Sequence, residues 1–330
     1  PIGVVANVVP CTNPESTVCC LALGTLKTRN AMIVSPHPRT QNCSYGTVQH
    51  VRKGLATGGA AIAKIVYAAG KPSQTVGAGN VVSIVDKSAN LETAAKNIRI
   101  SKIANNAASC SSENAVAIEE SAYDKMITAL INEGGYMCST EEREKVRQCL
   151  WPDGVHLNRD IVAKSAPVVA EMVGITVPEN TKILLVIGEK VGPEDRFSGE
   201  KLSTVLTIWK WNDFDEMVNR LGRILKFSGE VHSVSIHTED DEQRVKLALN
   251  AYVGRVVCNF PHAHANSGGW DCGLPVTDTL DGGTWAGNQT SDNINWKQFL
   301  NYTLLSIPKE RYEPTEEELL GEYFKRYGRE

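Results

Sequence analysis

The sequence predicts an α/β fold organised around a parallel sheet. Short runs rich in valine and isoleucine alternate along the chain with segments whose apolar residues recur every three to four positions. Several of the short runs are almost continuously apolar, as expected for strands that helices cover on both faces. A chain of 330 residues can also bury a large core, and its length predicts two domains.

Strands and helices can be assigned in chain order from these patterns. The predicted strands are residues 3–9, 31–35, 81–86, 115–119, 182–188, 205–211, 231–238 and 255–260. The clearest predicted helices are 91–103, a segment that begins at Ser121 as N-cap and ends at Gly134, 213–225, 240–252 and a charged tail at 314–327. Residues 259–295 are rich in Gly, Asn, Asp and Pro and predict a long functional loop.

Composition excludes several classes of function. A net charge of −4 gives no field that favours nucleic acid or an anionic membrane, and no apolar run is long enough to span a bilayer. The nine cysteines form no CxxC pair, which indicates reduced thiols and a cytoplasmic location. The histidines and Cys272 match no zinc spacing, so no metal is expected.

Cys110 is the first candidate for chemistry. It lies in the run Ala107-Ala108-Ser109-Cys110-Ser111-Ser112, whose small side chains allow a ligand to approach the backbone closely. Backbone N–H groups at such a strand entrance can stabilise an oxyanion. The alternative is a small buried cysteine packed in a tight turn, and local composition alone favours this alternative.

Three further segments have the composition of binding loops. Residues 77–80 form a glycine loop that differs from the GxGxxG dinucleotide fingerprint, so a turn and a surface for a flat ring are equal alternatives. Residues 56–59 indicate a strand end running into a helix N-terminus, which can hold a phosphate. Residues 35–38 end a strand, where α/β proteins bind ligands.

Taken in order, the motifs resemble the CoA-acylating aldehyde dehydrogenases of the aldehyde dehydrogenase superfamily. The matching runs are 1–6, 10–14, 26–31, 35–39, 56–59, 70–72, 76–80, 110–114, 200–203, 232–238 and 282–288. This resemblance implies a Rossmann-type cofactor domain at 1–102, an α/β catalytic domain at 103–281, and a return segment with an oligomerisation tail at 282–330. The family also has residues before the position of Pro1, and a strand–helix–strand stretch between the positions of Gly54 and Leu55, that this sequence lacks. Missing residues are the favoured interpretation, and a natural deletion is the alternative.

The resemblance assigns a role to each matching residue. It implies that Cys110 is the nucleophile, that Asn13 helps to hold the oxyanion, and that His232 assists the thiol steps. The residues implied to bind NAD or NADP are Ser35, Pro36, His37, Pro38, Arg39, Thr57, Gly58, Gly59, Gly77, Gly79 and Glu200. The predicted substrate-pocket residues are His262, His264, Asn266 and Ser267.

Val76 decides which acceptor is predicted. Hydrolytic relatives place a glutamate base at the position that Val76 matches, and a valine cannot accept a proton. Coenzyme A is therefore the predicted acceptor, with a hydrolytic dehydrogenase or a non-catalytic assembly protein as the alternatives.

The nucleophile segment and the tail most resemble acylating members that act on sulfoacetaldehyde. Sulfoacetaldehyde is therefore the predicted aldehyde, and succinic semialdehyde and acetaldehyde are the alternatives. The resemblance also implies a homodimer or a larger homo-oligomer.

Overall fold

The computed structural model describes residues 2–50, 79–280, 282–283, 285, 288 and 290–329. The chain divides into two compact units, one ending at Leu300 and one spanning Asn301–Glu330. Within the described residues, no helix is long and apolar enough to cross a membrane.

A seven-stranded sheet forms the centre of the first unit, and every strand pair in it is parallel. Its strands are β3 (Val81–Val85), β4 (Glu113–Glu119), β5 (Gly135–Met137), β6 (Ile183–Ile187), β7 (Val205–Trp211), β8 (Val234–His237) and β9 (Val256–Cys258). They lie in the order β5-β6-β7-β4-β3-β8-β9, and all residues of β3 and β4 are buried. The predicted parallel α/β fold is confirmed.

Helices cover both faces of this sheet. On one face, α3 (Leu91–Ile103) and α4 (Tyr123–Asn132) bury Ile98, Met126 and Leu130 against the strands. Two further helices, α7 (Phe214–Phe227) and α8 (Asp241–Asn250), belong to a separate core cluster that contains Leu221 and Leu247. At the end of the sheet nearest β5, two more helices pack against the strands: α5 (Thr140–Leu150) and α6 (Ala166–Val173). Side-chain caps fix the predicted helix starts at Asn90, Asp213 and Asp240.

A smaller parallel sheet pairs β1 (Val4–Val9) with β2 (Ala31–Pro36). Two helices pack beside it, α1 (Pro14–Lys27) and α2 (Gln41–His50). Residues 1–102, the predicted cofactor domain, thus contribute β1 and β2 to the small sheet and β3 to the large one. The predicted domain boundaries stay predictions.

The sequence patterns missed some local structure. Ser121 is not a helix N-cap, because its hydroxyl donates to Glu119 Oε1 at 2.9 Å and the α4 N-cap is Ala122. The three-residue β5 was missed because it begins at Gly135, the second of the two glycines that were read as the end of the preceding helix. The predicted loop at 259–295 contains a short helix, α9 (His262–Asn266).

The second unit contains one helix, α10 (Glu316–Tyr327), within its described residues. Thr315 and Glu318 form a capping box at its start. The charged helix predicted at 314–327 is therefore confirmed.

Candidate active site

The loops that enter neighbouring strands converge at the amino-terminal edge of the large sheet. Gly79 and Asn80 precede β3, Cys110 precedes β4, and His232 precedes β8. Because β4, β3 and β8 are adjacent and parallel, their amino ends lie at the same edge. The topology therefore brings together residues that are up to 153 positions apart in the sequence.

Cys110 and His232 are in direct contact in this cluster. The Cys110 Sγ and His232 Nε2 atoms are 3.1 Å apart. Desolvation, together with the negative charge of Glu200, raises the pKa of the Cys110 thiol to about 12. Burial lowers the pKa of His232 to about 3, helped by Arg255 and His262. At neutral pH the resting pair is therefore a neutral thiol beside a neutral imidazole.

The turn before Cys110 has an unusual backbone. Asn105, Asn106 and Ala107 all have positive φ angles, of 40°, 50° and 61°. Asparagine adopts this left-handed region more readily than most residues, whereas Ala107 adopts it at a cost, and such strain concentrates at functional sites. The Asn105 amide donates to Asn13 Oδ1 at 2.8 Å, so the turn also orients the side chain predicted to hold the oxyanion.

Gly79 lies against the backbone of Cys110. A Cβ atom at position 79 would be 2.1 Å from the Cys110 carbonyl oxygen and 2.9 Å from its Cβ. Only glycine permits this approach. The glycine loop therefore contributes to the shape of the nucleophile turn, a contact that the sequence pattern did not reveal.

Buried charged side chains lie near the nucleophile turn. Lys102 Nζ donates to the Glu113 carbonyl oxygen at 2.6 Å, and Lys201 Nζ donates to the carbonyls of Phe197 and Gly199. Burial lowers the pKa of Lys102 to about 7 and raises the pKa values of Glu113 and Glu200 to about 7. Sequence reasoning selected Glu200 but missed Lys102, Glu113 and Lys201, because charged residues in a sequence carry no sign of burial.

Two of the predicted substrate-pocket residues lie behind the nucleophile. His262 and Asn266 on α9 are both 0% exposed. His262 Nδ1 is 2.8 Å from the Ser111 carbonyl oxygen, and Asn266 Nδ2 donates to Ser111 Oγ at 2.9 Å. These side chains therefore have no free surface for a substrate. His264 is exposed and Ser267 is partly exposed.

Five of the predicted cofactor residues, Ser35 to Arg39, lie at the carboxyl end of β2. Ser35 and Pro36 end the strand, and His37 Nδ1 accepts a hydrogen bond from the backbone N–H of Arg39 at 3.2 Å. Beside them a cleft of ≈ 380 Å³ is lined by Val34, Pro36, Gln41, Asn42, Tyr45 and Val48. Thr57, Gly58, Gly59, Gly77 and Val76 lie outside the described residues.

Comparison with known proteins identifies the family. The aldehyde dehydrogenase family model matches residues 47–137. The acylating sulfoacetaldehyde dehydrogenase of Cupriavidus necator is 35% identical, and the alignment covers 100% of this chain and 74% of that protein. The chain belongs to the acylating aldehyde dehydrogenases.

Two further members of this family bear on fold and substrate. The acetylating succinate-semialdehyde dehydrogenase of Clostridium kluyveri is 32% identical over 97% of this chain and 78% of its own length. The crystal structure of an acetylating aldehyde dehydrogenase from Geobacillus thermoglucosidasius superposes with a TM-score of 0.85 at 30% identity, covering 94% of this chain and 77% of that one.

Membership of the acylating aldehyde dehydrogenases confirms the predicted enzyme class. The family uses NAD or NADP as cofactor and coenzyme A as cosubstrate. The residues present fit such a cofactor at two places. The cleft at the end of β2 lies beside the exposed ring of Tyr45. The partly buried carboxylate of Glu200 lies close enough to Cys110 to raise the pKa of the thiol. The roles of the individual residues stay predictions.

Proposed function

We propose that this acylating aldehyde dehydrogenase converts sulfoacetaldehyde, coenzyme A and NAD(P)+ into sulfoacetyl-CoA and NAD(P)H, and that the reaction is reversible. The observation that carries the proposal is the 3.1 Å contact between Cys110 Sγ and His232 Nε2 at the edge where the strand-entry loops meet. The 35% identity to an enzyme named for sulfoacetaldehyde supports the choice of aldehyde.

Cys110 is the proposed nucleophile. Its thiolate adds to the aldehyde carbonyl carbon to give a thiohemiacetal oxyanion, which the Asn13 amide and the Cys110 backbone N–H stabilise. The hydrogen bond from Asn105 holds Asn13 Oδ1 at 2.8 Å and leaves the Asn13 NH₂ group available to donate. A nicotinamide held beside Cys110 would accept the hydride that the thiohemiacetal loses, and this loss would leave a thioester on Cys110.

The residues proposed to hold NAD(P) come from two parts of the described structure. Ser35, Pro36, His37, Pro38 and Arg39 lie at the adenosine side, next to the ≈ 380 Å³ cleft. Glu200 lies toward Cys110 and is the proposed partner of the nicotinamide ribose, with Gly79 beside it.

Coenzyme A is the proposed acyl acceptor. Its thiolate attacks the thioester carbonyl, and the Cys110 thiolate leaves as acyl-CoA forms. Val76 at the position of the hydrolytic base supports this choice, because without that base the attack of water is slower by roughly 10²–10⁴-fold. A hydrolytic enzyme that releases the free acid is the second candidate.

The sulfonate of the substrate needs hydrogen-bond donors. Since His262 and Asn266 are fully buried, the proposed contacts to the sulfonate are His264 and Ser267, the two predicted pocket residues with exposed surface. A succinic semialdehyde specificity is the competing proposal, because the Clostridium kluyveri relative is almost as similar.

An aldehyde panel tests the proposal. Purified protein is mixed with sulfoacetaldehyde, succinic semialdehyde or acetaldehyde, with NAD+ or NADP+, and with or without coenzyme A. We expect CoA-dependent NAD(P)H formation that is fastest with sulfoacetaldehyde and absent in Cys110→Ala. Equal NAD(P)H formation without coenzyme A would support the hydrolytic candidate. No turnover with any aldehyde would favour the non-catalytic candidate.

We further propose a cytoplasmic homodimer or larger homo-oligomer. Exposed apolar side chains in the second unit support self-association, among them Leu304 at 93% and Leu305 at 83% exposure. Light scattering on the purified protein measures the oligomeric state, and a monomer at micromolar concentration would contradict this part of the proposal.

A further inference from the structure

Asn266 and Ser233 form a hydrogen-bonded chain that ends at the nucleophile. Asn266 Nδ2 donates to Ser233 Oγ at 3.2 Å, Ser233 Oγ is 2.6 Å from His232 Nδ1, and His232 Nε2 is 3.1 Å from Cys110 Sγ. Asn266 and Ser233 are both 0% exposed. Because water does not reach these groups, the protein itself sets the direction of each hydrogen bond.

The direction follows from the amide of Asn266. Its NH₂ group faces two hydroxyl oxygens, Ser233 Oγ and Ser111 Oγ, while its Oδ1 has no partner among the described residues. Rotating the amide by half a turn would place the two N–H groups where no acceptor lies. A buried N–H without a partner is rarer than a buried carbonyl without one, so the NH₂ group faces the hydroxyls.

The hydroxyl of Ser233 transmits this direction to the imidazole. A serine hydroxyl has one proton to donate, and Ser233 Oγ already accepts from Asn266. The oxygen could accept a second hydrogen bond, but no acceptor other than His232 Nδ1 lies within hydrogen-bonding distance of Ser233 Oγ among the described residues. The Ser233 proton therefore points to His232 Nδ1, which is the unprotonated nitrogen. A neutral imidazole with an unprotonated Nδ1 carries its hydrogen on Nε2, the atom that faces the Cys110 sulfur.

We infer that Asn266 and Ser233 are positioning residues that fix His232 in its Nε2–H tautomer, so that His232 donates a hydrogen bond to the Cys110 thiolate. In this state His232 cannot accept the proton of the resting thiol, which leaves to bulk water. The second N–H of Asn266 acts in the same sense, because it orients the Ser111 hydroxyl, whose hydrogen bond favours the ionised Cys110 side chain. This inference deepens the proposed function, since it concerns the same nucleophile.

The other charged and titratable groups facing the pair do not supply this donor. Glu200 opposes ionisation of Cys110, whereas Arg255 favours it. Arg255 and His262 both favour the neutral form of His232. These groups set the charge of the imidazole, and the Ser233–Asn266 chain sets which nitrogen carries its hydrogen.

Two measurements on the resting protein, without aldehyde or cofactor, test the inference. The first is the ¹⁵N NMR spectrum of ¹⁵N-histidine-labelled protein, in which His232→Gln assigns the His232 signals among the seven histidines. We expect a protonated Nε2 and an unprotonated Nδ1 in the unmodified protein and in Ser233→Thr, which keeps the hydroxyl. In Ser233→Ala we expect a mixture of tautomers.

The second measurement is the rate of Cys110 alkylation by iodoacetamide across pH. Loss of the oriented donor in Ser233→Ala is expected to raise the apparent pKa of Cys110 by about one unit, which slows alkylation about tenfold below that pKa. Ser233→Thr should restore the profile. Ser235→Ala is the matched control, because it removes a buried hydroxyl that faces Ser83 on the neighbouring strand.

Either of two results would overturn the inference. One is a protonated Nδ1 on His232 in the unmodified protein. The other is a Ser233→Ala alkylation profile that coincides with that of Ser235→Ala. Because neither measurement requires turnover, a failure of the proposed aldehyde or acceptor would leave these outcomes unchanged.

Discussion

The contact between Gly79 and Cys110 yields the sharpest mutational prediction. In Gly79→Ala the new methyl carbon would be 2.1 Å from the Cys110 carbonyl oxygen, 2.9 Å from its carbonyl carbon and 2.9 Å from its Cβ. Non-bonded carbon and oxygen atoms rarely approach closer than about 3.0–3.4 Å, so the two backbones must separate by about 1 Å. Both contacting segments are backbone, and a side-chain rotation cannot relieve the clash.

The expected loss of activity follows from that displacement. A shift of about 1 Å in a reacting group costs about 10²-fold in rate. Overpacking of this kind lowers the free energy of unfolding by ~1–3 kcal/mol. We therefore expect Gly79→Ala to remain folded at room temperature while its kcat for acyl-CoA formation falls about 100-fold.

The assay compares Gly79→Ala with a matched glycine variant. Gly222, inside α7, has no atom within 4 Å of the position that a Cβ would occupy. Gly222→Ala should keep full activity and gain about 0.5–1 kcal/mol of stability, because alanine is the better helix former. The kcat is measured by CoA-dependent NAD(P)H formation, and the stability by urea unfolding. If Gly79→Ala retains more than about half of the unmodified kcat, the reasoning from this contact is wrong.

Three other predictions concern the oxyanion side chain, acid stability and a buried ion pair. Asn13→Ala should lower kcat by about 10²–10³-fold, because it removes the side chain that holds the oxyanion. Asn105→Gly tolerates the positive φ but loses the hydrogen bond to Asn13, and it should lower kcat by only about tenfold. Equal losses in the two variants would contradict the positioning role of Asn105. Burial lowers the pKa of His237 from 6.5 to about 4. Between these pH values the unfolded chain therefore binds more protons than the folded chain. Up to about 3 kcal/mol of the free energy of unfolding that is present above pH 6.5 is lost as the pH falls toward 4. In His237→Gln, the free energy of unfolding measured with urea should fall less steeply between pH 6.5 and pH 4. An unchanged slope would refute the role given to His237. Asp195, whose side chain is 3% exposed, forms an ion pair with Arg143 at 2.8 Å. Arg143→Ala removes this partner from a buried carboxylate and should lower the free energy of unfolding, measured with urea, by ~3–5 kcal/mol. A loss below about 1 kcal/mol would contradict this prediction.

Most strands of the large sheet could be predicted from the sequence. Its strands are short, almost fully apolar runs between amphipathic helices, and that pattern is strong where both faces of a strand are buried, as in β3 and β4. It fails for β5, which has three residues and begins at the second of two glycines, and for α9, where five residues form a helix inside a segment with loop composition. Such short elements are formed by tertiary contacts, which no local pattern contains.

The candidate site was predictable only in part. Cys110 and His232 were selected together because ordered motifs resembled a family, whereas composition around Cys110 alone favoured packing. The sequence predicts Asn266 as a substrate contact. In the structure it is completely buried, and its amide forms hydrogen bonds to Ser111 and Ser233 instead. That outcome depends on how α9 packs behind the entries to β4 and β8, which is a property of the topology.

The central claim is that Cys110 carries the acyl group and that coenzyme A removes it. The most direct measurement is mass spectrometry of the intact protein after incubation with sulfoacetaldehyde and NAD(P)+, before and after coenzyme A is added. We expect one acyl adduct, located on Cys110 by peptide mapping, that persists in buffer and disappears with stoichiometric formation of sulfoacetyl-CoA. An adduct on another cysteine, or one that hydrolyses to the free acid as fast without coenzyme A as with it, would contradict the claim.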